Sequence, residues 1–429
     1  MKVKQIRWQA AVLAAAVIAA LAVLFALATV TSHAADVSYD PETRTYTMSD
    51  STYDQQINLE SGTTTTIAIS GYNKLVYNGS SYYGTCISGS GDLKIIGSGT
   101  LEISNGQAYC YNLTIGDGVK LLIGRQFSAS GNVTIGEAVI ERCPDSSGYF
   151  YCSNSGGANI VFNNTTFKTS LSLYGTTNLN DCNVTFENAQ MYSSGAPVYI
   201  NGGTYNFIMD EENPYSCMSL GHRTVVKNAV IKANALCQIQ NLEMTDSTIE
   251  ITAPKMQEGS SYYGPMGALQ GENLIFVGSK IKIDGSAYDG LYAYDRVILT
   301  GNTEVDIKAL EAGIVGNTVG ITHSSGKIQV TDSDKAIAAV AAFDLGSGSN
   351  VTPGTLTLNK VYVKEPADYT IGEQVVTPSG VPSGYEVHIK TIMDGNVPAK
   401  TVVLETEHNT HIWDAGKVTK EPTETAEGV

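Results

Sequence analysis

The chain has little positive charge and only two tryptophans, Trp8 and Trp413. Lysine and arginine together number 26 against 42 acidic residues, which gives a formal net charge of −16. A chain this acidic does not neutralise phosphates, so we exclude nucleic acid as a partner. An acidic surface attracts cations, so Ca²⁺ is the one cofactor that remains open, and no other is expected.

Long apolar runs are also lacking, with one exception at the N-terminus. The run Ala10–Val30 follows the basic stretch "MKVKQIRWQ" and precedes Ser32 and Ala34, which have the small side chains of a cleavage site. We therefore predict a signal peptide over residues 1–34 and a secreted or cell-surface protein without a membrane span after cleavage. An uncleaved membrane anchor is the alternative, because the run is long enough to cross a bilayer.

Cysteine occurs in an odd number, seven, and no Cys-x-x-Cys pair is present. This pattern predicts neither a disulfide framework nor a zinc site. Cys143 and Cys152 could close a small loop in "CPDSSGYFYC", which we interpret as a surface excursion. For most of the cysteines we expect buried thiols that act as small apolar side chains in a narrow core.

Helical periodicity is absent after the signal peptide, and a repeat takes its place. From Gly267 the chain can be written in lines that begin at Gly267, Gly290, Gly313 and Ala336. The period is about 23 residues, within the range typical of solenoid proteins. Each line contains an alternating apolar strand, a turn rich in Gly, Asn and Ser, and a second alternating strand, as in "LIF…IKI".

Shorter copies of the same half-unit precede these lines, over Gly91–Ile103 and Asn112–Ile123 and from Gly131, Ala158 and Asn241. Two-residue alternation with a fixed repeat predicts an all-β fold, a right-handed parallel β-helix over residues 67–348. Ile, Val, Leu, Phe and Cys would stack inside it. A β-sandwich is the alternative, but it does not explain a register kept over three successive lines.

Flanking segments suit the ends of such a solenoid. We assign residues 35–66 to an N-terminal cap, 349–407 to a C-terminal β subdomain or last irregular coils, and 408–429 to a separate tail. The 43 glycines and many asparagines match turns that need a positive φ. In the same way we interpret Asn112, Asn132, Asn183 and Asn350 as turn and ladder residues rather than glycosylation sites.

The line starts "YDGLYA", "EAGIVG" and "DKAIAA" resemble those of bacterial carbohydrate-binding β-helix proteins of the polysaccharide-lyase-like group, which carry repeated Asp-Gly coil starts. The resemblance covers 267–346 well and 75–251 loosely. It implies glycan binding, with Asp289 and Asp295 as the candidates for a calcium site. Only Asp289 keeps the Asp-Gly pair, and the later lines depart from it.

The tail "HNTHIWDAGKVTKEPTETAEGV" resembles the start of a short repeat in surface proteins of Gram-positive anaerobes. That repeat normally continues into a Cys-x-x-Cys pair, which this sequence does not contain. The resemblance implies a surface-associated protein. His408 and His411 lie three residues apart in the tail, and we do not assign them to a metal site.

The residues needed for polysaccharide lysis or hydrolysis are sparse. A lyase uses a basic residue, and a hydrolase of this fold uses carboxylates on neighbouring coils. Only five arginines follow the signal peptide. The nearest approach to a catalytic cluster is Asp210 with His222 and Arg223, which we interpret as an acidic loop beside a solvated coil face.

Tyrosine, with 24 copies, is the surface signal that remains. Tyrosines concentrate in stretches rich in Ser and Gly that we predict as loops, among them the hexapeptide "GSSYYG", which occurs twice. Aromatic rings stack on sugar faces, although they also shield coil edges and make protein contacts. The candidate ligand-binding residues are Tyr82, Tyr83, Tyr149, Tyr151, Tyr262 and Tyr263.

We therefore expect an exported, monomeric, non-catalytic β-helix protein that binds polysaccharide or surface glycans. Two alternatives remain open at this point. One is a polysaccharide lyase or glycoside hydrolase of the pectin-lyase-like fold, and the other is an adhesin-type structural spacer.

Overall fold

The molecule is a right-handed parallel β-solenoid of about 12 coils with a small antiparallel sheet at its C-terminal end. It is known from a computed structural model. The structure describes residues 36–79, 81, 83–153, 157–210, 216–252, 267–286, 289–309, 312–323, 327–331, 335–339, 355–356, 360–364, 370–376 and 386–405. Within these residues every regular element is a strand, and no helix long and apolar enough to cross a membrane occurs. The predicted fold class is confirmed.

The strands of the N-terminal half are β1 (Asp36–Asp40), β2 (Thr45–Ser49), β3 (Thr52–Tyr53), β4 (Ile57–Leu59), β5 (Thr64–Val76), β6 (Thr85–Gly89), β7 (Asp92–Ser104), β8 (Gln107–Cys110), β9 (Leu113–Ile115), β10 (Val119–Ile123), β11 (Gln126–Ala129), β12 (Val133–Ile135), β13 (Val139–Arg142), β14 (Tyr149–Ser153), β15 (Ala158–Lys168), β16 (Leu171–Tyr174), β17 (Thr177–Asn180), β18 (Asn183–Glu187), β19 (Met191–Ser194), β20 (Val198–Asn201) and β21 (Thr204–Ile208).

The remaining strands are β22 (Met218–Lys227), β23 (Val230–Ala233), β24 (Cys237–Thr245), β25 (Thr248–Thr252), β26 (Gly267–Val277), β27 (Lys280–Ser286), β28 (Asp289–Gly301), β29 (Glu304–Ala309), β30 (Ala312–His323), β31 (Lys327–Thr331), β32 (Lys335–Ala339), β33 (Thr355–Leu356), β34 (Lys360–Lys364), β35 (Thr370–Val376), β36 (Glu386–Asp394), β37 (Val397–Pro398) and β38 (Val402–Glu405).

Three parallel sheets run along the solenoid, and each coil contributes a strand to all three. Sheet A contains β2, β9, β12, β17, β20 and β34, the first halves of β5, β7 and β15, and the second halves of β22, β24, β26, β28 and β30. Sheet B contains β3, the second halves of β5, β7 and β15, and β10, β13, β18, β21, β23, β25, β27, β29 and β31. Sheet C contains β4, β6, β8, β11, β14, β16, β19 and β32, with the first halves of β22, β24, β26, β28 and β30.

The predicted repeat corresponds to the coils, with two corrections. Gly290, Gly313 and Ala336 are in register at the start of successive sheet C strands, whereas the partner of Gly290 in the preceding coil is Ala268 rather than Gly267. Each predicted half-unit is one sheet A strand, a turn and one sheet B strand. The sequence analysis missed the third strand of every coil, which belongs to sheet C.

Alternate residues of each strand point inward and stack on their counterparts in the next coil. One column of sheet A runs Ile67, Ile95, Ile115, Ile135 and Phe162, all buried. In sheet B the rings of Phe167, Phe186 and Phe207 follow one another at centroid distances of 5.3 and 4.7 Å. Such spacing is favourable for stacked rings, so the core is a set of like-on-like columns, as expected.

The turn from sheet A to sheet B has a left-handed residue in many coils. Asp50, Asn164, Asp181, Asn228 and Asp246 all have φ between 45° and 56° at this turn. Asn and Asp tolerate this region better than other residues with a Cβ, which explains their abundance. Just after the left-handed position, the hydroxyl groups of Ser247, Ser279 and Thr303 each accept a hydrogen bond from the backbone of the preceding coil.

The asparagines predicted as ladder residues form one at the corner between sheets C and A. The N–H of Asn132 donates to Oδ1 of Asn112 at 2.8 Å, and the N–H of Asn159 donates to Oδ1 of Asn132 at 3.0 Å. Asn112 in turn donates its N–H to Asp92. The prediction is therefore confirmed for Asn112 and Asn132, while Asn350 lies outside the described residues.

The outer face of sheet B carries lysine–glutamate pairs that join neighbouring coils. The pairs are Lys74–Glu102, Lys120–Glu141, Lys168–Glu187, Lys232–Glu250 and Lys280–Glu304, with N–O distances between 2.7 and 3.3 Å. Exposed pairs of this kind each contribute little to stability. Their placement does offset like-charge repulsion between stacked coils of an acidic chain.

Antiparallel strands cover both ends of the stack. At the N-terminal end β1 pairs with β2, the first strand of sheet A, so parallel pairing already starts at Thr45. At the other end β38 pairs with β31, and β36 pairs with β32. These strands occupy edges that would otherwise be open to pairing with another chain. The tail after residue 405 lies outside the described residues.

In the sequence, both "GSSYYG" segments follow a strand of sheet B and precede a strand of sheet C. The first lies between β5 and β6, and the second lies between β25 and β26. In the first copy Gly79 and Gly84 both pack against the ring of Tyr77, where no Cβ would fit. This packing gives the two glycines a structural role. The second copy lies outside the described residues.

All seven cysteines are buried free thiols, as predicted for most of them. The loop that we considered between Cys143 and Cys152 is not closed, since Cys152 points into the core from strand β14. Burial raises the pKa of the Cys86 and Cys143 thiols to about 11. It raises the pKa of Cys110 and Cys152 further, because a thiolate is poorly solvated in the core.

Replacing one ring of the phenylalanine column tests whether these stacks carry the stability of the solenoid. We expect Phe186→Ala to lower the free energy of unfolding by about 3–5 kcal/mol, because the cavity is closed off by Phe167 and Phe207. Urea denaturation monitored by circular dichroism measures the change. Ile208→Ala, which removes a half-exposed side chain from the outer face of the next coil, is the control, with an expected effect below about 0.5 kcal/mol.

The burial of the cysteines predicts how they react with a thiol reagent. A thiol reagent such as Ellman's reagent should leave the folded protein unmodified near neutral pH, since all seven thiols are buried and the raised pKa of Cys86, Cys110, Cys143 and Cys152 disfavours the reactive thiolate. After denaturation we expect all seven to react. A count of five in the denatured, unreduced protein would instead show one disulfide.

Candidate functional site

The outer face of sheet C presents a column in which tyrosine and serine alternate from coil to coil. In register along successive strands it runs Tyr109, Ser128, Tyr151, Ser172 and Tyr192. These positions point outward because their strand neighbours, such as Phe150 and Cys152, fill the core. We call this surface the tyrosine face and include Tyr149 and Tyr174, which flank the column on β14 and β16.

The rings of the tyrosine face form a continuous chain over three coils. Tyr149 and Tyr151 meet edge to face with centroids 6.4 Å apart. Tyr151 and Tyr174 stack at 4.6 Å, and Tyr174 and Tyr192 follow at 6.4 Å. Because Tyr174 covers the side of Tyr151 toward β16, the opposite side of that ring is turned toward β11.

An open cleft of about 540 Å³ lies on this side, above strand β11. Tyr109 stands on one side of it, and Tyr149, Tyr151 and Tyr174 stand on the other. Its floor is polar and comes from Gln126, Ser128 and Ser130. Among the residues described around it, no charged side chain lines the cleft. Apolar ring walls over hydroxyl and amide groups suit a ligand with apolar faces and polar edges.

The phenol groups that line the cleft are hydrogen-bonded or partly buried, and this determines their protonation state. The phenol of Tyr149 donates to Oε1 of Gln126 at 3.1 Å, and the phenol of Tyr109 donates to Oε1 of Gln107. Burial raises the pKa of Tyr109, with a smaller effect of Tyr149. Burial also raises the pKa of Tyr151, helped by Tyr174 and Tyr149. The phenols of Tyr109 and Tyr151 are therefore neutral across the physiological range.

Two of the six predicted ligand-binding tyrosines, Tyr149 and Tyr151, are brought together in the cleft. They lie on strand β14 and not in a loop, which corrects our interpretation of this stretch. Tyr83 is three-quarters exposed and lies at a separate depression, with Tyr77 and Asp54, near the first "GSSYYG". Tyr82, Tyr262 and Tyr263 lie outside the described residues.

The residues weighed as a catalytic cluster lie at opposite ends of a sheet C strand. Asp210 is at the corner from sheet B to sheet C, where its carboxylate accepts a hydrogen bond of 2.6 Å from Nδ2 of Asn188. His222 is exposed at the corner from sheet C to sheet A. Arg223 binds Glu243 of the next coil through two hydrogen bonds of 2.7 and 3.1 Å. The structure thus does not bring Asp210 to His222 and Arg223.

The two aspartates considered for calcium occupy different surroundings. Asp289 is buried at the start of β28 in sheet C, whereas Asp295 has a half-exposed side chain near the corner to sheet A, 3.9 Å from Nε of Arg296. Over the described residues no cluster of three or more His, Cys, Asp or Glu side chains is arranged to hold a metal ion. Calcium binding at Asp289 and Asp295 stays a prediction.

Tyr109 and Tyr174 were missed by the sequence analysis, although they complete the cleft and the ring chain. Tyr109 follows the buried Ala108 in "QAYC", and Tyr174 ends the strand "LSLY". Tyr109, Tyr151 and Tyr192 recur at a spacing of two coils, and that period was the available signal. It becomes visible only when the short strands of sheet C are recognised as part of each coil.

Comparison with models of protein families, with curated proteins and with solved structures finds no match to this chain. The class of molecule is therefore defined by its own architecture, a parallel β-solenoid with a tyrosine face on one of its three sheets.

The raised pKa of the cleft tyrosines predicts a late phase in an alkaline spectroscopic titration. The phenols of Tyr109 and Tyr151 should ionise above the ordinary value of about 10. Folding then favours their protonated form, and the corresponding stability is present below pH 10 and lost as the pH rises through the folded-state pKa. Tyr109→Phe and Tyr151→Phe should each remove part of the late phase.

Proposed function

We propose that this is an exported, non-catalytic β-solenoid protein that binds polysaccharide or surface glycans through the tyrosine face of sheet C. The observation that carries the proposal is the uncharged cleft with tyrosine walls and a floor of serine hydroxyls and a glutamine amide. Sugar rings offer apolar C–H faces to aromatic rings and hydroxyl groups to polar side chains. The cleft provides both kinds of contact within one coil spacing of each other.

The rigidity of the site supports binding. The side chains project from hydrogen-bonded strands rather than from loops, and Tyr174 supports Tyr151 from behind. A side chain held in this way loses little conformational freedom when a ligand arrives. Export rests on the N-terminal segment, whose basic start and apolar run are those of a secretory leader.

Binding without turnover is the form of the proposal that the candidate residues support. Arg223 is engaged by Glu243, so its guanidinium stays charged and is no base for proton abstraction. Among the residues that the structure describes, the lining of the cleft consists of tyrosine, serine and glutamine with Gly89 and Cys110, and it contains no carboxylate. Glycoside hydrolysis ordinarily needs a pair of carboxyl groups, so we assign the cleft to binding.

Truncating Tyr151 tests the proposal. In a panel of insoluble polysaccharides and soluble oligosaccharides, the chain should bind at least one, and Tyr151→Ala should weaken that binding about tenfold, or ~1.4 kcal/mol. Calorimetry or affinity electrophoresis measures the change. Tyr294→Ala is the matched control, because Tyr294 is a half-exposed tyrosine at the end of a sheet C strand six coils away.

Each of the other outcomes has a definite meaning. Equal binding by Tyr151→Ala and the parent chain would remove the tyrosine face from the function. Release of unsaturated or reducing ends from any polysaccharide would show a lyase or a hydrolase. Binding to none of the glycans would favour a structural spacer. Repeating the assay with a chelator shows whether calcium takes part.

A further inference from the structure

The tyrosine face contains two equivalent slots, one above Ser128 and one above Ser172. Each is the space between two tyrosines of the same column in alternate coils, Tyr109 and Tyr151 for the first and Tyr151 and Tyr192 for the second. Because neighbouring strands are about 4.8 Å apart, the two walls of each slot are about 9.6 Å apart. A ring halfway between them would lie within the 4.5–7 Å range of stacked rings.

The slot above Ser172 is filled by a ring of the protein itself. Tyr174, two residues after Ser172 on β16, places its ring 4.6 Å from that of Tyr151 and 6.4 Å from that of Tyr192. The planes of Tyr151 and Tyr174 differ by only 27°. A six-membered ring therefore fits between the walls of such a slot, and it enters with its edge toward the strand.

The slot above Ser128 is open because the corresponding position carries a small side chain. Ser130 follows Ser128 by two residues, as Tyr174 follows Ser172. The register agrees, since Ala129 pairs with Cys152 and Cys152 pairs with Leu173, so Ser130, Ser153 and Tyr174 form the next column. All three of these residues line the open cleft, with Tyr174 at its far end. The cleft is thus the same slot without the ring that fills its neighbour.

We infer that the slot above Ser128 holds a single pyranose ring of a neutral glycan, inserted edge first between Tyr109 and Tyr151. The inference rests on the proposed function and specifies its ligand. The two faces of the sugar would lie against the two tyrosine rings, and its hydroxyl groups would meet Ser128, Ser130 and Gln126. The geometry is the one that Tyr174 adopts one slot further along.

Polarity and charge select this ligand over the alternatives. A phenylalanine-like ring would displace water from the hydroxyl and amide groups of the floor and offer them no hydrogen bond in return, which is costly. A uronic acid would bring a carboxylate to an uncharged cleft in a chain of net charge −16. Neither the lining nor the overall charge compensates an anion there. A neutral sugar meets neither obstacle.

Exchanging the residues that distinguish the two slots tests the inference by counting sites. Ser130→Tyr should place a ring in the open slot and reduce binding of neutral oligosaccharides of β-1,4-linked glucose, N-acetylglucosamine, xylose or mannose at least tenfold. Tyr174→Ser should open the second slot and raise the stoichiometry from one site to two. The double variant should return it to one. Calorimetry with whichever of these sugars binds the parent chain gives both numbers.

Ser194→Tyr is the matched control, because it makes the same substitution in the same column beyond Tyr174 and away from the open cleft. It should bind like the parent chain. Circular dichroism and thermal unfolding confirm that each variant is folded. Since Tyr174 also supports Tyr151, its removal should weaken the first site a few-fold, and the number of sites is therefore the decisive readout.

The outcomes separate this inference from the proposed function. If Ser130→Tyr binds as the parent does while Tyr151→Ala does not, the face binds glycans but the slot is not the site. If oligogalacturonate binds more tightly than every neutral sugar, the assignment to a neutral ring is wrong. If no sugar binds the parent chain, the proposed function fails and the inference fails with it.

Discussion

The parallel hydrogen-bonded register between coils is the constraint on which every other feature of this molecule depends. It places each residue directly above its counterpart at about 4.8 Å, so a side chain meets a copy of its own position rather than an arbitrary partner. Inside, this favours columns of like residues, such as the isoleucines of sheet A and the rings of Phe167, Phe186 and Phe207. On the outer faces, the same register means that a residue type that recurs at one position of the coil forms a stripe along the solenoid.

The outer faces of the sheets carry different repeated residues. Sheet B alternates lysine and glutamate between coils, as in Lys232–Glu250 and Lys280–Glu304, and so offsets like-charge repulsion in an acidic chain. Sheet C alternates tyrosine and serine, which spaces large rings by two coils and leaves room between them. At the corners, the ladders of hydroxyl and asparagine side chains accept hydrogen bonds from backbone N–H groups that are not paired within the sheets. The inward-facing columns of the core do not depend on which residues occupy the outer faces of the sheets.

The fold could be predicted because residues that are in register on successive coils recur in the sequence with a regular period, as Gly290, Gly313 and Ala336 do. The third strand of each coil could not. Sheet C strands such as "QFSA" and "GALQG" carry small residues on both faces, so apolar and polar positions do not alternate visibly. Tyr149 and Tyr151 stood out by composition. Tyr109 and Tyr174 did not stand out. Because the coils differ in length, the sequence does not show that these two residues lie near Tyr149 and Tyr151 on sheet C, and only the register between the strands shows it.

The corner between sheets B and C varies in length while the stacks on either side stay aligned. In the sequence, the segment that links the flanking strands is as short as Gly124–Arg125, between β10 and β11, and as long as residues 253–266, between β25 and β26. Extra chain at this corner leaves the column positions unchanged, because loop length adds only slowly to the entropy of closure. The corner from sheet B to sheet C is therefore a seam along which foreign peptides of different lengths can be grafted, next to the tyrosine face and without altering its spacing.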